Sequence, residues 1–182
     1  MTTTKKTLAT KKSKTTTSTS SKPVNKIIME PENLPSNPFA FEVLSLVSKQ
    51  RSNAKKVDLL KKYEDPSLKA IFIWNFDESV ISLLPEGDVP FEANDAPKGT
   101  EHTVLRREYK KLYRFIKGGD EKLVGFKREN LFIQLLEGLH TDEADVIISA
   151  KDKTLHQSFK GLSAAVVKEA FNWNDQFARS ET

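Results

Sequence analysis

The sequence contains no cysteine, which excludes disulfide bonds and thiolate metal sites. It also lacks any apolar run close to the roughly 20 residues that a membrane-spanning helix requires. No apolar signal-peptide core follows the first methionine, so we expect an intracellular protein without a membrane partner.

The common catalytic and metal-binding motifs are absent as well. There is no phosphate-binding glycine loop followed by Lys-Thr or Lys-Ser, no His-Glu-x-x-His, no acidic calcium loop and no Gly-x-Ser-x-Gly elbow. The acids Asp142, Glu143 and Asp145 fit the first turn of a helix, where carboxylates are favoured, better than a metal site. We therefore expect a protein that is not an enzyme and that uses neither a metal nor a cofactor.

Acidic residues are missing from residues 1–22, which are rich in Thr, Ser and Lys. The six basic residues of this segment are Lys5, Lys6, Lys11, Lys12, Lys14 and Lys22. Without these six, the 29 basic residues of the chain fall to 23 against 25 acids, so the basic isoelectric point belongs to the tail. The composition predicts a disordered tail, which acts either as a solubilising leader or as an arm that binds a polyanion.

Proline content marks the next boundary. Pro23, Pro31, Pro35 and Pro38 forbid a regular helix in residues 23–38, which we interpret as a linker. The predicted organisation is a basic tail at 1–22, this linker, a helical domain at 39–173 and a C-terminal tail at 174–182. Within the domain, apolar periodicity predicts an all-α compact bundle of about seven helices, with no strand alternation.

The early helices have clear start signals. Ser52-Asn53 is suited to begin the second helix, and Asp65-Pro66 the third, in which Trp74 is expected to be buried. A long irregular connection is predicted for residues 85–100. A single amphipathic helix is then expected from Glu101 to Lys117. Its inward face comprises Leu105, Tyr109, Leu112, Tyr113 and Ile116, and its outward face carries the basic stripe Arg107, Lys110, Lys111 and Arg114.

The stretch from Lys127 to Phe171 is expected to form the centre of the fold. Leu131, Leu135, Leu136 and Leu139 recur at helical spacing, which predicts that Leu135 and Leu136 are core residues. Thr141 is expected to cap the next helix. Residues 151–154 are expected to form a basic, polar break after it. Gly161 permits a close backbone approach, and Ser163 is suited to cap the last helix and leave amides for a phosphate.

Residues 39–171 resemble the helical N-terminal DNA-binding domain of phage-type ATP-dependent DNA ligases. The similar segments are Phe41-Glu42-Val43-Leu44, Ser52-x-x-Lys55-Lys56-Val57-x-Leu59-Leu60-Lys61-Lys62, Leu68-Lys69-Ala70-Ile71-Phe72, and Gly161-x-Ser163 leading to Val167-Lys168-x-x-Phe171. The Lys-x-Asp-Gly setting of a ligase nucleophile is absent, so the resemblance implies a DNA-grasping module without the enzyme.

A second resemblance is to small uncharacterised proteins of large tailed phages of cyanobacteria. It lies in Asn94-Asp95-Ala96-Pro97-x-Gly99-Thr100-Glu101-His102-Thr103 and in Arg128-Glu129-x-Leu131-Phe132-Ile133-Gln134-Leu135-Leu136-Glu137. It implies a location in the host cytoplasm or the virion.

Together these observations predict a DNA-binding module with little sequence preference and duplex DNA as its partner. The expected contacts are the six tail lysines, the stripe Arg107, Lys110, Lys111 and Arg114, and the closing segment Lys151, Lys153, Lys160, Gly161, Ser163 and Lys168. The alternative is a phage structural or assembly protein whose tail and domain bind other virion proteins. A third interpretation is an inhibitor or adaptor of a replication enzyme.

Overall fold

The structure is a computed structural model that describes residues 34–94 and 97–179. The predicted basic tail and most of the predicted linker lie outside these residues. The described part is helical, as the sequence predicted, and holds no strand, only the isolated bridges Ser82–Ile116 and Trp173–Arg179. Its α-helices are α1 Ala40–Ser48, α2 Asn53–Lys62, α3 Pro66–Phe76, α4 Leu105–Glu108, α5 Gly125–Gly138, α6 Thr141–Lys151, α7 Leu155–Ser158 and α8 Ala164–Phe171.

The core lies where α3 packs on α6, with α1 and α5 also against α6. α3 begins as its sequence predicts, because Asp65 accepts a 2.8 Å hydrogen bond from the amide of Ser67 and Pro66 occupies the first turn. Trp74 is 3% exposed and stacks 6.3 Å from Phe115. No helix among the described residues is long and apolar enough to cross a membrane.

The predicted helix from Glu101 to Lys117 is wrong in its extent and type. Residues 105–108 form α4, and Tyr109–Phe115 continue as a 3₁₀ helix. Before the start of α4, the amide of Thr103 donates to Gly138 O at 3.0 Å. Four residues of the predicted inward face still point inward: Leu105 and Leu112 are buried, and Tyr109 and Ile116 pack against the core. Tyr113 is 48% exposed, so its predicted inward position is wrong, because a 3₁₀ helix has about three residues per turn.

α5 and α6 follow the predicted central pair. Leu135 and Leu136 are 8% and 0% exposed, which confirms them as core residues. The predicted cap Thr141 is wrong: His140 caps α6, because its Nδ1 accepts a 3.1 Å hydrogen bond from the amide of Asp142. The ring of His140 is stacked 5.2 Å from that of Phe41, which holds the imidazole in the capping position.

The chain continues to pack after α8. Asn172 ends this helix in the left-handed conformation, with φ 54°. Trp173 then lies 5.0 Å from Phe171 and 6.0 Å from Phe177, ring to ring. Phe177 is 7% exposed, so the packed domain extends past the predicted boundary at residue 173.

Candidate nucleic-acid interface

The turn between α7 and α8 forms the glycine-containing element that the sequence indicated. Gly161 adopts φ +78°, a conformation that L side chains rarely adopt. Leu162 is buried, and its amide donates to Phe159 O at 3.2 Å. Ser163 caps α8, as predicted, by accepting a 3.4 Å hydrogen bond from the amide of Val166. Since the first amides of a helix have no intrahelical acceptor, those of α8 are suited to bind an oxyanion.

A buried lysine fixes this turn to the second helix. Lys56 is 6% exposed, and its Nζ donates a 2.8 Å hydrogen bond to the carbonyl oxygen of Gly161. A Cβ atom added to Gly161 would lie 2.2 Å from the same Nζ. The close approach that Gly161 permits is therefore occupied by Lys56, which corrects the expectation that the space serves a ligand. The contact makes α2, the turn and α8 one continuous unit.

Helix α2 and the residues just before it are rich in exposed cations. Within residues 49–62 the single acid is Asp58, and the exposed cations are Lys49, Arg51, Lys55, Lys61 and Lys62. On the other side of the Lys56 contact, Lys160 and Gly161 are exposed too. We name the surface formed by α2, residues 159–163 and α8 the α2–α8 face.

The α2 cations were missed as site residues during sequence analysis. A signal for them existed, because Lys55 and Lys62 are seven residues apart and so lie on one side of a helix. The density of basic residues from 49 to 62 was a second signal.

Lys168 lies on α8, and its charge is partly neutralised. Its Nζ is 2.9 Å from Asp175 Oδ1 and lies 4.9 Å from the ring centroid of Phe177. Because the side chain of Asp175 is 94% exposed, this ion pair is a weak surface interaction that a phosphate can replace.

Lys151 and Lys153 do not join the α2–α8 face. Lys151 is 3% exposed; its Nζ donates to Pro85 O at 2.7 Å and pairs with Asp152. Lys153 is half-buried, with Nζ donating to Asp77 O at 2.8 Å. Both lysines hold down the connection after α3, so the expectation that Lys151 forms a basic, polar surface break is wrong. The ammonium group of Lys151 is therefore not available to a phosphate, and that of Lys153 is engaged with the backbone of Asp77.

The predicted stripe Arg107, Lys110, Lys111 and Arg114 lies on a different part of the domain. Helix α4 packs on α3. The 3₁₀ helix packs on α3 and also on α5. Arg107 and Lys110 are exposed, whereas Lys111 pairs with Glu108. On α4, Arg106 Nε is 2.9 Å from Asp65 Oδ2 at the start of α3. The structure thus separates the predicted contacts into two basic surfaces, and the tail lysines lie outside the described residues.

The three acids at the start of α6 have a structural explanation. Glu143 is 2% exposed and accepts backbone hydrogen bonds from Ala40 and Leu105. Burial raises its pKa, which the two hydrogen bonds and the nearby His140 oppose. Asp142 and Asp145 are exposed. Across the described residues no group of three or more potential ligands is placed to hold a metal ion.

The described residues define an all-α domain with two basic surfaces. The chain belongs to the family of unknown function DUF6433, whose family model matches residues 43–157. The match covers α1 to the middle of α7, and therefore α2 and the 3₁₀ helix, but it ends before the glycine turn. Comparison with curated proteins gave no match. Comparison with solved structures gave none either.

Proposed function

We propose that this protein is a non-catalytic DNA-binding module that grips the phosphate backbone with little sequence preference. The observation that carries the proposal is the hydrogen bond from Lys56 to Gly161, because it fixes the glycine turn beside the basic helix α2. Exposed lysines such as Lys55 and Lys160 then flank amides that can hold one phosphate in a defined place. The resemblance to the DNA-binding domain of phage-type ligases supports the same assignment.

In this proposal the tail and the α2–α8 face act differently. The six tail lysines supply a salt-sensitive attraction that needs no fixed geometry. The α2–α8 face supplies shape, so it favours duplex over single-stranded DNA. The host cytoplasm or the virion is the corresponding location, following the resemblance to phage proteins.

Paired charge variants of the full chain test the α2–α8 face. Lys55→Gln with Lys160→Gln removes two charges from it, and Lys122→Gln with Lys127→Gln removes two exposed charges before and at the start of α5. Duplex binding is measured by fluorescence anisotropy over a salt series. The first pair should weaken binding and lower the log–log salt slope by about 0.9 per lost phosphate contact, whereas the control pair should change neither. Equal effects of both pairs would reject the α2–α8 face as the binding surface.

A specific observation favours the second candidate, a virion structural or assembly protein. Phe126 and Val124, at the start of α5, are 74% and 64% exposed. Large exposed apolar side chains are typical of protein-binding surfaces. Fractionation of virions separates the two candidates, since a structural protein co-purifies with particles in fixed copy number. Phe126→Ser should then release it from particles while leaving DNA binding unchanged.

A further inference from the structure

A pocket of about 300 Å³ opens between α5 and the 3₁₀ helix. One wall is a single face of α5, because Leu131, Gln134, Leu135 and Gly138 recur at i, i+3, i+4 and i+7. The opposite wall carries residues of the 3₁₀ helix.

The end of the pocket is closed by residues 102–103. Thr103 donates its amide to Gly138 O at 3.0 Å. A Cβ atom on Gly138 would lie 3.2 Å from Thr103 Cγ2, so glycine lets this segment lie close against α5. His102 and Thr103 consequently line the pocket.

The lining combines an apolar floor with polar groups. Phe115 and Leu135 are 2% and 8% exposed, and half-buried Leu131 lies beside them. The polar lining comes from His102, Thr103, Glu108, Lys111, Arg114 and Gln134. The one carboxylate among them, Glu108, is paired with Lys111. Sites for small ligands have this composition: a mostly apolar body and a few polar groups that fix orientation.

Two of the polar groups are cations, and one has an unused donor. Lys111 is paired with Glu108, whose other hydrogen bond is a 2.9 Å contact from Thr103 Oγ1. Burial alone raises the pKa of Glu108, but the hydrogen bonds from Lys111 and Thr103 outweigh it and hold this pKa below its ordinary value. The guanidinium of Arg114 lies 5.8 Å from the ring centroid of Tyr113, and a side-chain hydrogen bond with Tyr113 raises the pKa of Arg114. Its Nε, however, is buried and has no hydrogen-bond partner among the described residues. Buried donors are nearly always paired, so this one calls for an acceptor.

We propose that this pocket binds one nucleoside phosphate, with the phosphate at Arg114 and Lys111 and the base over the floor of Phe115, Leu131 and Leu135. Arginine matches a phosphate because its planar fork donates two parallel hydrogen bonds. The nucleoside phosphate is either free or the 5′-phosphorylated end of a strand. This site is distinct from the α2–α8 face and does not rest on the function proposed for that face.

Calorimetry on the full chain tests the site with five probes: dAMP, deoxyadenosine, inorganic phosphate, and a short single strand with and without a 5′-phosphate. Arg114→Gln removes the charge and the fork, and Arg179→Gln is the matched control at an exposed arginine outside both proposed sites. Gln134→Trp fills the mouth from an exposed position, with Gln157→Trp on α7 as its control. Thermal midpoints confirm that each variant is folded.

The expected result is dAMP binding that Arg114→Gln weakens by about ten- to hundredfold, the range of a lost charge-assisted hydrogen bond. Gln134→Trp should abolish it, and both controls should bind as the unchanged protein does. Deoxyadenosine and inorganic phosphate should each bind more weakly than dAMP. Binding of the 5′-phosphorylated strand but not of dAMP, with the same sensitivity to Arg114→Gln, assigns the site to strand ends.

Three outcomes overturn the proposal. One is an absence of binding by dAMP and by the phosphorylated strand at millimolar concentration. Another is equal binding of dAMP and deoxyadenosine. The third is binding that both Arg114→Gln and Gln134→Trp leave unchanged. Failure of the duplex-binding experiment on the α2–α8 face affects none of these readouts, because free dAMP does not require that face.

Discussion

The carboxylate of Glu143 accepts a 2.9 Å hydrogen bond from the backbone amide of Leu105. Its other oxygen accepts a 3.3 Å hydrogen bond from the amide of Ala40. One side chain on α6 therefore serves the first amides of both α1 and α4. Because a helix start has unpaired amides, a single buried carboxylate that serves two of them links three helices.

Glu143→Gln should destabilise the fold. The glutamine oxygen can accept from one amide, but its NH₂ group cannot accept from the other, so one buried donor loses its partner. We expect a loss of about 1–3 kcal/mol in the free energy of unfolding, measured by urea denaturation at neutral pH. Glu129→Gln, on the exposed side of α5, is the control. It should change the free energy of unfolding by no more than about 0.5 kcal/mol.

The unchanged protein and Glu143→Gln should differ in stability by an amount that depends on pH, because the pKa of Glu143 is raised. The folded state holds the proton more tightly than the unfolded chain does. The resulting stabilisation is fully present below the ordinary carboxyl pKa and is lost as pH rises through the raised pKa. The difference in stability between the unchanged protein and Glu143→Gln should therefore be larger in acid than at neutral pH. A difference that shrinks on acidification would show that the two hydrogen bonds and His140 outweigh burial and lower the pKa of Glu143.

Gly119→Ala should destabilise the turn after the 3₁₀ helix. A Cβ atom at Gly119 would lie 1.8 Å from Tyr113 O, a backbone atom that cannot move alone. We expect a cost of about 1–3 kcal/mol, as for other overpacking substitutions, visible as a lower thermal midpoint. Gly125→Ala is the matched control at the start of α5, where a Cβ meets nothing within 4 Å. It should be neutral or slightly stabilising.

Lys56→Met should loosen the glycine turn while keeping the apolar stem of the side chain. The lost hydrogen bond to Gly161 involves a charged donor, so the free energy of unfolding should fall by about 1.5–3 kcal/mol. Hydrogen exchange at the amide of Leu162 should become faster, because the turn is no longer fixed to α2. Lys55→Met, one position earlier and exposed, should change neither quantity. Equal exchange in both variants would show that the turn does not depend on Lys56.

Leu135→Ala should be among the costly substitutions in α5. A buried leucine truncated to alanine typically loses about 2–5 kcal/mol, and Leu135 is 8% exposed. Leu131→Ala, on the same face but half-buried, should cost less. Chemical denaturation of both variants gives the comparison. A larger loss for Leu131 would mean that the core is centred closer to the 3₁₀ helix.

The tail prediction concerns binding and not folding. Replacing Lys5, Lys6, Lys11, Lys12, Lys14 and Lys22 by glutamine should leave the thermal midpoint unchanged, because the Thr-, Ser- and Lys-rich composition of residues 1–22 offers little apolar surface to bury. If all six contact phosphates, the log–log salt slope for DNA should fall by about 4–5 in total. Any preference for duplex over single-stranded DNA should persist. Loss of that preference with the tail charges would place the shape recognition in the tail.

Local signals predicted the helices that carry their own start and stop residues. Asp65-Pro66 predicted the start of α3, and Ser163 predicted the cap of α8. The spacing of the leucines predicted the buried face of α5. Each of these depends on residues within about one or two turns, which is the range at which sequence patterns are informative. The helical class followed from the same local evidence.

The features that sequence analysis missed depend on distant partners. The helix expected from Glu101 starts at Leu105, whose amide is served by Glu143, 38 residues later. Lys151 looks like a surface residue in sequence, but its ammonium group bonds to Pro85 O, 66 residues away. The exposed cations of α2 had a local signal. Their closeness to the glycine turn had none, because it depends on the contact between Lys56 and Gly161. Spacing alone cannot reveal such pairs, because they form between segments that meet only in the folded chain.

The two hydrogen bonds of Glu143 also bear on the order in which the parts of the chain fold. Ala40 precedes its hydrogen-bond partner by 103 residues. During synthesis from the N-terminus, α1, α2 and α3 are therefore made long before the carboxylate that completes α1. Contacts this distant close large loops and slow the folding of an otherwise helical protein. A nascent chain that stops before α6 lacks the residue that joins its first helix to α4, so we expect the domain to complete its fold only after α6 has left the ribosome.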